Sequence, residues 1–364
     1  MDAKEVRQNI EQIRNSRDLW TEFEYQDPDI NYIKRHAAAV ALQYDWKPED
    51  YDLIKFLMEN EVESRIHDPY QGCGDSLTLI SYLLAKFRRP ENIWLFEKAK
   101  CANFDTYCGY FNEFIFSAGV ELTCKYLEGF ELTESNKYLF EHKDQLNSLL
   151  SEQDIEDFFH RMTLWFPDSM EKETTESLLA MAIDFDDLEE AEKLFDLLEK
   201  QAEPDLKALY YRAKELKKYE KAIFYKQKEL ELTTDARDKV SSILDITELH
   251  ILNNDYIKAF ESAQSWERLL TQFDSWQYTG LGRSMSESWF DICLGFYKEK
   301  DIISAQLCYR NGDWMLRKTN HFYLNVLEKA FACSKAVGDR KGIRFYKKAV
   351  NKEQKSIDKM FKKR

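Results

Sequence analysis

A chain of 364 residues, 44% apolar and 32% charged, can bury a core without disulfide or metal staples, and its 11 glycines and 6 prolines are too few for the tight turns of an all-β protein. The formal charge of −14 is unevenly spread: residues 341–364 hold ten Lys or Arg against two acids, giving +8, and residues 1–340 carry −22. An acidic body argues against nucleic acid as the main partner, and no run approaches the roughly 20 apolar residues of a membrane span.

The start of the chain is charged throughout and lacks the apolar stretch of a signal peptide, so a cytoplasmic protein is expected. Val6, Ile10, Ile13, Leu19, Trp20 and Phe23 predict a helix from about Asp2 to Tyr25, stopped by Asp27-Pro28-Asp29. A second helix is predicted around Ile33 to Gln43. Pro48 then opens one with Tyr51, Ile54, Leu57 and Met58 on a single face. The segment His67 to Asp75 reads as a loop, after which Asp75 or Ser76 caps a helix over Leu77 to Arg88. Pro90 begins the next, and Asn103 to Thr106 supplies a cap for a helix reaching Phe116.

Beyond about residue 169 the pattern changes. A helix with large apolar residues is followed by a short polar break, then a bulky residue, and three positions later a small one. The second helices begin Leu188-Glu189-Glu190-Ala191, Tyr219-Glu220-Lys221-Ala222, Tyr256-Ile257-Lys258-Ala259, Ile302-Ile303-Ser304-Ala305 and Arg340-Lys341-Gly342-Ile343. The small residue lets two helices cross closely, while the bulky one fills the space at the turn.

Over roughly residues 172–352 this pattern resembles the tetratricopeptide family. The family's usual small residue in the first helix is replaced by Leu179, Tyr210, Thr247, Cys293 and Phe331, and the second-helix small positions are spaced 31, 37, 46 and 38 apart. The expected fold is all-α: an N-terminal helical region over 1–168, tetratricopeptide-like hairpins of an α-solenoid over 169–340, and a basic capping helix over 341–364. Membrane-surface association of that last helix, through Phe345, Tyr346, Val350, Ile357, Met360 and Phe361, is the competing expectation.

The resemblance implies that first helices line a concave groove for a protein or peptide. Its groove positions fall on Glu176, Tyr211, Lys214, Glu248, Phe290, Tyr297 and Glu328. With the acidic body, it implies a basic partner and a non-enzymatic role as a scaffold, a peptide-responsive regulator or an immunity-type protein that masks a toxin.

Chemistry is otherwise sparse. Six histidines are scattered without zinc-ligand spacing, so no metal or cofactor is expected. The seven cysteines stand mostly in apolar helical contexts and read as buried, reduced thiols. Cys73 lies between two glycines on the 67–75 loop, and with His67 and Asp105 it defines the alternative, a helical enzyme; no oriented base or anion site accompanies it in the sequence. The acids from Asp184 to Glu190 read as a turn leading into a helix N-terminus.

Overall fold

The computed structural model describes residues 1–67, 72–133, 136–142, 150–319 and 323–361. Residues 68–71 of the expected loop, His321, residues 362–364 and the side chains of Met360 and Phe361 lie outside the described residues. The chain is all-α, and no strand occurs among the described residues. It forms two compact units, Met1–Glu190 and Ala191–Arg364. The change of pattern near residue 169 precedes that division because Gln43 Nε2 and Tyr44 Oη donate to the Glu173 carboxylate at 3.0 and 2.8 Å, tying the following residues to the first unit.

The first unit contains α1 (Tyr32–Tyr44), α2 (Tyr51–His67), α3 (Gly74–Ala85), α4 (Ile93–Lys100), α5 (Val120–Leu127), α6 (Glu152–Trp165) and α7 (Thr175–Asp184). The single helix predicted over Asp2 to Tyr25 is three pieces: Ala3–Gln8, Ile10–Asn15 and a 3-10 turn over Arg17–Phe23. The Asn9 amide donates to the Glu5 carbonyl at 2.7 Å, competing with the helical ladder where the first piece stops. Val6, Ile10, Ile13 and Phe23 are still buried, so the apolar spacing marks the inner face across all three pieces.

Asn103 and Thr106 form the expected capping box, but the helix stops at Gly109 and a separate turn covers Asn112–Ile115. Helix α3 starts at Gly74, ahead of the predicted caps, and Cys73 stands at its N-cap without a side-chain capping bond.

Between α1 and α2 lies a buried charged group. Arg35 Nε donates to Glu61 at 3.0 Å, Arg65 donates to the other Glu61 oxygen at 2.7 Å, and Arg35 also meets Asp29 at 3.1 Å. Arg35, Glu61 and Arg65 are 0, 0 and 1% exposed, so each charge depends on its partners for the solvation it has lost.

The second unit consists of hairpins. With α8 (Leu188–Glu199) leading in, they are α9 (Leu206–Glu215) with α10 (Tyr219–Leu232), α11 (Ala236–Leu252) with α12 (Tyr256–Leu270), α13 (Gly280–Lys298) with α14 (Ile302–Lys318), and α15 (Leu324–Ala336) with α16 (Arg340–Phe361). Each first helix packs on its second, and α11, α13 and α15 also lie side by side.

One turn recurs before α8, α10, α12, α14 and α16. Asp186, Lys217, Asn254, Lys300 and Gly338 adopt left-handed backbones with φ of 55, 57, 58, 66 and 74°. The next residue in each case donates its N–H across the turn to Ala182, Ala213, His250, Phe296 or Ser334 at 2.8 to 2.9 Å, the 6→1 bond of a Schellman cap. Asp255, Asp301 and Asp339 then accept the N–H of Lys258, Ser304 and Lys341 at 3.1, 3.0 and 3.0 Å, so one short segment ends a helix and starts another.

The small residues do what the pattern requires. Ala191, Ala222, Ala259 and Ala305 are fully buried. Two glycines add contacts the pattern missed: a Cβ on Gly295 would stand 2.2 Å from Tyr256 Cε1, and one on Gly312 would stand 2.7 Å from Phe290 Cε1. Helix α16 packs on α15, and its fully buried Tyr346 donates its hydroxyl to Asp313 of α14, while Arg317 covers the Phe345 ring at 4.1 Å. Tyr346, one of the residues expected at a membrane surface, is therefore committed to the core.

The cysteines need a correction. Cys293, Cys308 and Cys333 are buried, but Cys73 and Cys124 are half-buried and Cys101 and Cys108 exposed. The break after Gly109 leaves Cys108 at the end of a short helix instead of on the inner face of a long one.

Candidate binding face

Helices α11, α13 and α15 present one polar stripe. Asp245 and Glu248, three apart on α11, share a face, as do Glu287 and Asp291, four apart on α13. On α15, Lys329 Nζ reaches Glu287 at 2.9 Å and Asp291 at 2.7 Å, and Asn325 donates to Glu287 at 3.2 Å. On the other side, Lys226 of α10 meets Asp245 at 2.9 Å and Glu229 at 3.0 Å, with its ammonium 4.7 Å from the Tyr210 ring centre.

Glu248 lies half-buried in the middle of this arrangement and makes no hydrogen bond or ion pair among the described residues. Burial pushes its pKa above the ordinary carboxylate value; Lys214 opposes the shift, and Asp245, Glu287 and Asp291 reinforce it. Asp291 is also raised, chiefly by burial, with Lys329 acting against the shift and Glu287 with it. Burial works against the charge on Lys329, but Asp291 and Glu287 outweigh it and hold that pKa high. The stripe is an interlocked set of charges with one carboxylate at its centre that has no direct cationic contact.

The expected groove residues divide accordingly. Lys214 and Glu248 come together electrostatically, and Glu328 is exposed on α15 beside Lys329. Tyr211 is 48% exposed on α9, its ring 4.7 Å from that of Tyr210, and Tyr297 is 43% exposed near the end of α13. Phe290 is a correction: it is fully buried, its ring set against Gly312 of α14, where the missing side chain leaves room for it. Glu176 is half-buried on α7 and belongs to the first unit.

Asp245, Glu287, Asp291 and Lys329 were not singled out in the sequence. The spacing of Asp245 with Glu248 and of Glu287 with Asp291 was visible there, but acids at such spacing are too frequent in this chain to distinguish them.

The alternative centre around Cys73 has a different character. The half-buried thiol lies 3.9 Å from the Asp105 backbone carbonyl, and burial pushes its pKa up, with Arg65 and Lys100 opposing. His67 faces Glu63 at 3.7 Å and stacks on Tyr25 with ring centres 5.2 Å apart. A raised thiol pKa is the reverse of what an activated nucleophile needs.

Among the described residues no group of His, Cys, Asp or Glu is placed to hold a metal ion, and no helix is long and apolar enough to cross a membrane. The chain matches no family model, and no curated protein is significantly similar to it.

Proposed function

We propose that the second unit is a tetratricopeptide-like array and that the protein acts by binding, not catalysis, receiving a basic segment of a protein or peptide on the face of α11, α13 and α15. The observation that carries this reading is Glu248, half-buried among Asp245, Glu287 and Asp291 without an ion pair of its own. A lysine or arginine from a partner would supply the missing contact, and a desolvated charge-assisted bond of this kind is among the stronger ones available to an interface. Exposed Tyr211 and Tyr297 offer amphipathic rings of the sort that anchor interfaces. A cytoplasmic scaffold, a peptide-responsive regulator and an immunity-type protein would each use such a face.

The test is binding of the purified chain to an array of lysine- and arginine-rich peptides, with kinetics read on the best of them. Glu248→Lys is expected to weaken binding at least tenfold, and Tyr297→Ala to speed dissociation at a cost of roughly 1 to 2 kcal/mol. Unchanged kinetics for both variants, with helical content intact, would reject this face.

A further inference from the structure

A cavity of about 330 Å³ lies within the first unit. Helix α1 contributes His36, Val40 and Gln43, α3 contributes Asp75 and Leu79, and α7 contributes Ala180, Met181 and Asp184. Exposed Leu164 and Trp165, at the end of α6, stand at its rim, with Phe166 behind them. The volume is at the lower end of the range for small-molecule sites, and the walls are mainly apolar, as such sites require.

The polar groups are not evenly distributed. At one end the Glu173 carboxylate is already satisfied, accepting from Gln43 Nε2 at 3.0 Å, Tyr44 Oη at 2.8 Å and Ser177 Oγ at 2.7 Å. Lys172, the cation lining the cavity there, is held by Asp168 at 2.6 Å. At the other end His36 is 5% exposed, yet neither ring nitrogen makes a hydrogen bond among the described residues; the carboxylate facing it, Asp184, stands 3.9 Å from Nδ1. Burial lowers the His36 pKa, against the Asp184, Glu61 and Asp75 carboxylates and together with Arg65, so the ring is neutral near pH 7. A neutral imidazole nine-tenths buried leaves one donor and one acceptor nitrogen to be satisfied from the cavity side.

The charge at this end is negative. Arg35 and Arg65 are taken up by Glu61 and Asp29, while Asp75 makes no ion pair or hydrogen bond among the described residues. A group that would sit here must donate to the imidazole, carry positive charge toward Asp75, and lay an apolar body along Val40, Leu79 and Met181.

We propose that this cavity binds a small organic cation with N–H donors, an ammonium or amidinium ion on an aromatic or aliphatic body, with its charged end at His36 and Asp75. The site is independent of the peptide-binding face, and the two can fail separately.

Calorimetry on the full chain tests it with tryptamine and benzamidine as cations, indole-3-propionate as the anion and benzamide as the neutral analogue. At least one cation is expected to bind saturably, with the matched neutral or anionic compound at least tenfold weaker. Asp75→Asn, at an exposed position that the fold does not depend on, should weaken the cation tenfold or more. Ala180→Phe should fill the cavity and abolish binding, and Glu248→Lys should leave it unchanged. The proposal is overturned if neither cation binds at millimolar concentration, if benzamide or indole-3-propionate binds as well as its cation, or if Asp75→Asn retains full affinity. Should Ala180→Phe unfold the unit, Asp75→Asn still decides.

Discussion

Glu61 shows how strongly one side chain can govern a unit. It is fully buried and shared between Arg35 and Arg65, so Glu61→Leu removes from a dehydrated site the carboxylate that both guanidinium groups meet. The expected loss is about 3 to 5 kcal/mol, measured as the shift in denaturant midpoint followed by circular dichroism. Glu248 should behave in the opposite way. Its folded pKa is raised above the unfolded one, so the ionised form costs stability at neutral pH and that cost disappears as pH falls through the folded pKa. Glu248→Gln is therefore expected to raise the midpoint at pH 7 and to have no effect near pH 4, while weakening any basic ligand; a destabilised variant at pH 7 would contradict the environment described. At this scale the sequence was only partly legible. Lys214 and Glu248 do come close enough to interact, but Phe290 could not be recognised as core, because its partner is the absence of a side chain at Gly312 on another helix.

The elements were more readable, because the hairpin turn is encoded locally. All five breaks seen in the sequence contain the left-handed residue, and the bulky-then-small pattern after each marks the second helix. Lys300 holds φ 66° without being glycine, whereas Gly338 holds φ 74° at the corresponding place. Lys300→Gly should thus stabilise the second unit by about 1 kcal/mol and Gly338→Ala should destabilise it by about the same, since a side chain in this region costs roughly 1 to 2 kcal/mol. Thermal midpoints of the two variants check both signs in one experiment. What stayed hidden was the break at Asn9, where a side-chain amide competes for the Glu5 carbonyl while the apolar spacing continues undisturbed.

For the whole molecule, composition spoke clearly about class and weakly about organisation. Few glycines and prolines and continuous helical spacing indicated an all-α chain, but the division at Glu190 depends on contacts such as Gln43 with Glu173, which join residues 130 apart and leave no periodic trace. The net charge of −14 has a kinetic corollary for the proposed partner. Association with a basic peptide should slow as salt rises, because exposed charges are screened beyond about 10 Å at 0.1 M, while dissociation governed by Glu248 and Tyr297 should change less. Stopped-flow measurements across a salt series separate the two rates. The recurring turn also bears on how the second unit reaches its structure. Each cap joins helices adjacent in sequence through bonds spanning five residues, so a hairpin can close on the timescale of local chain diffusion, before α11, α13 and α15 have found one another. Folding of this unit is then a matter of aligning preformed hairpins, and its slow step is set by the joints between them, not by the turns within.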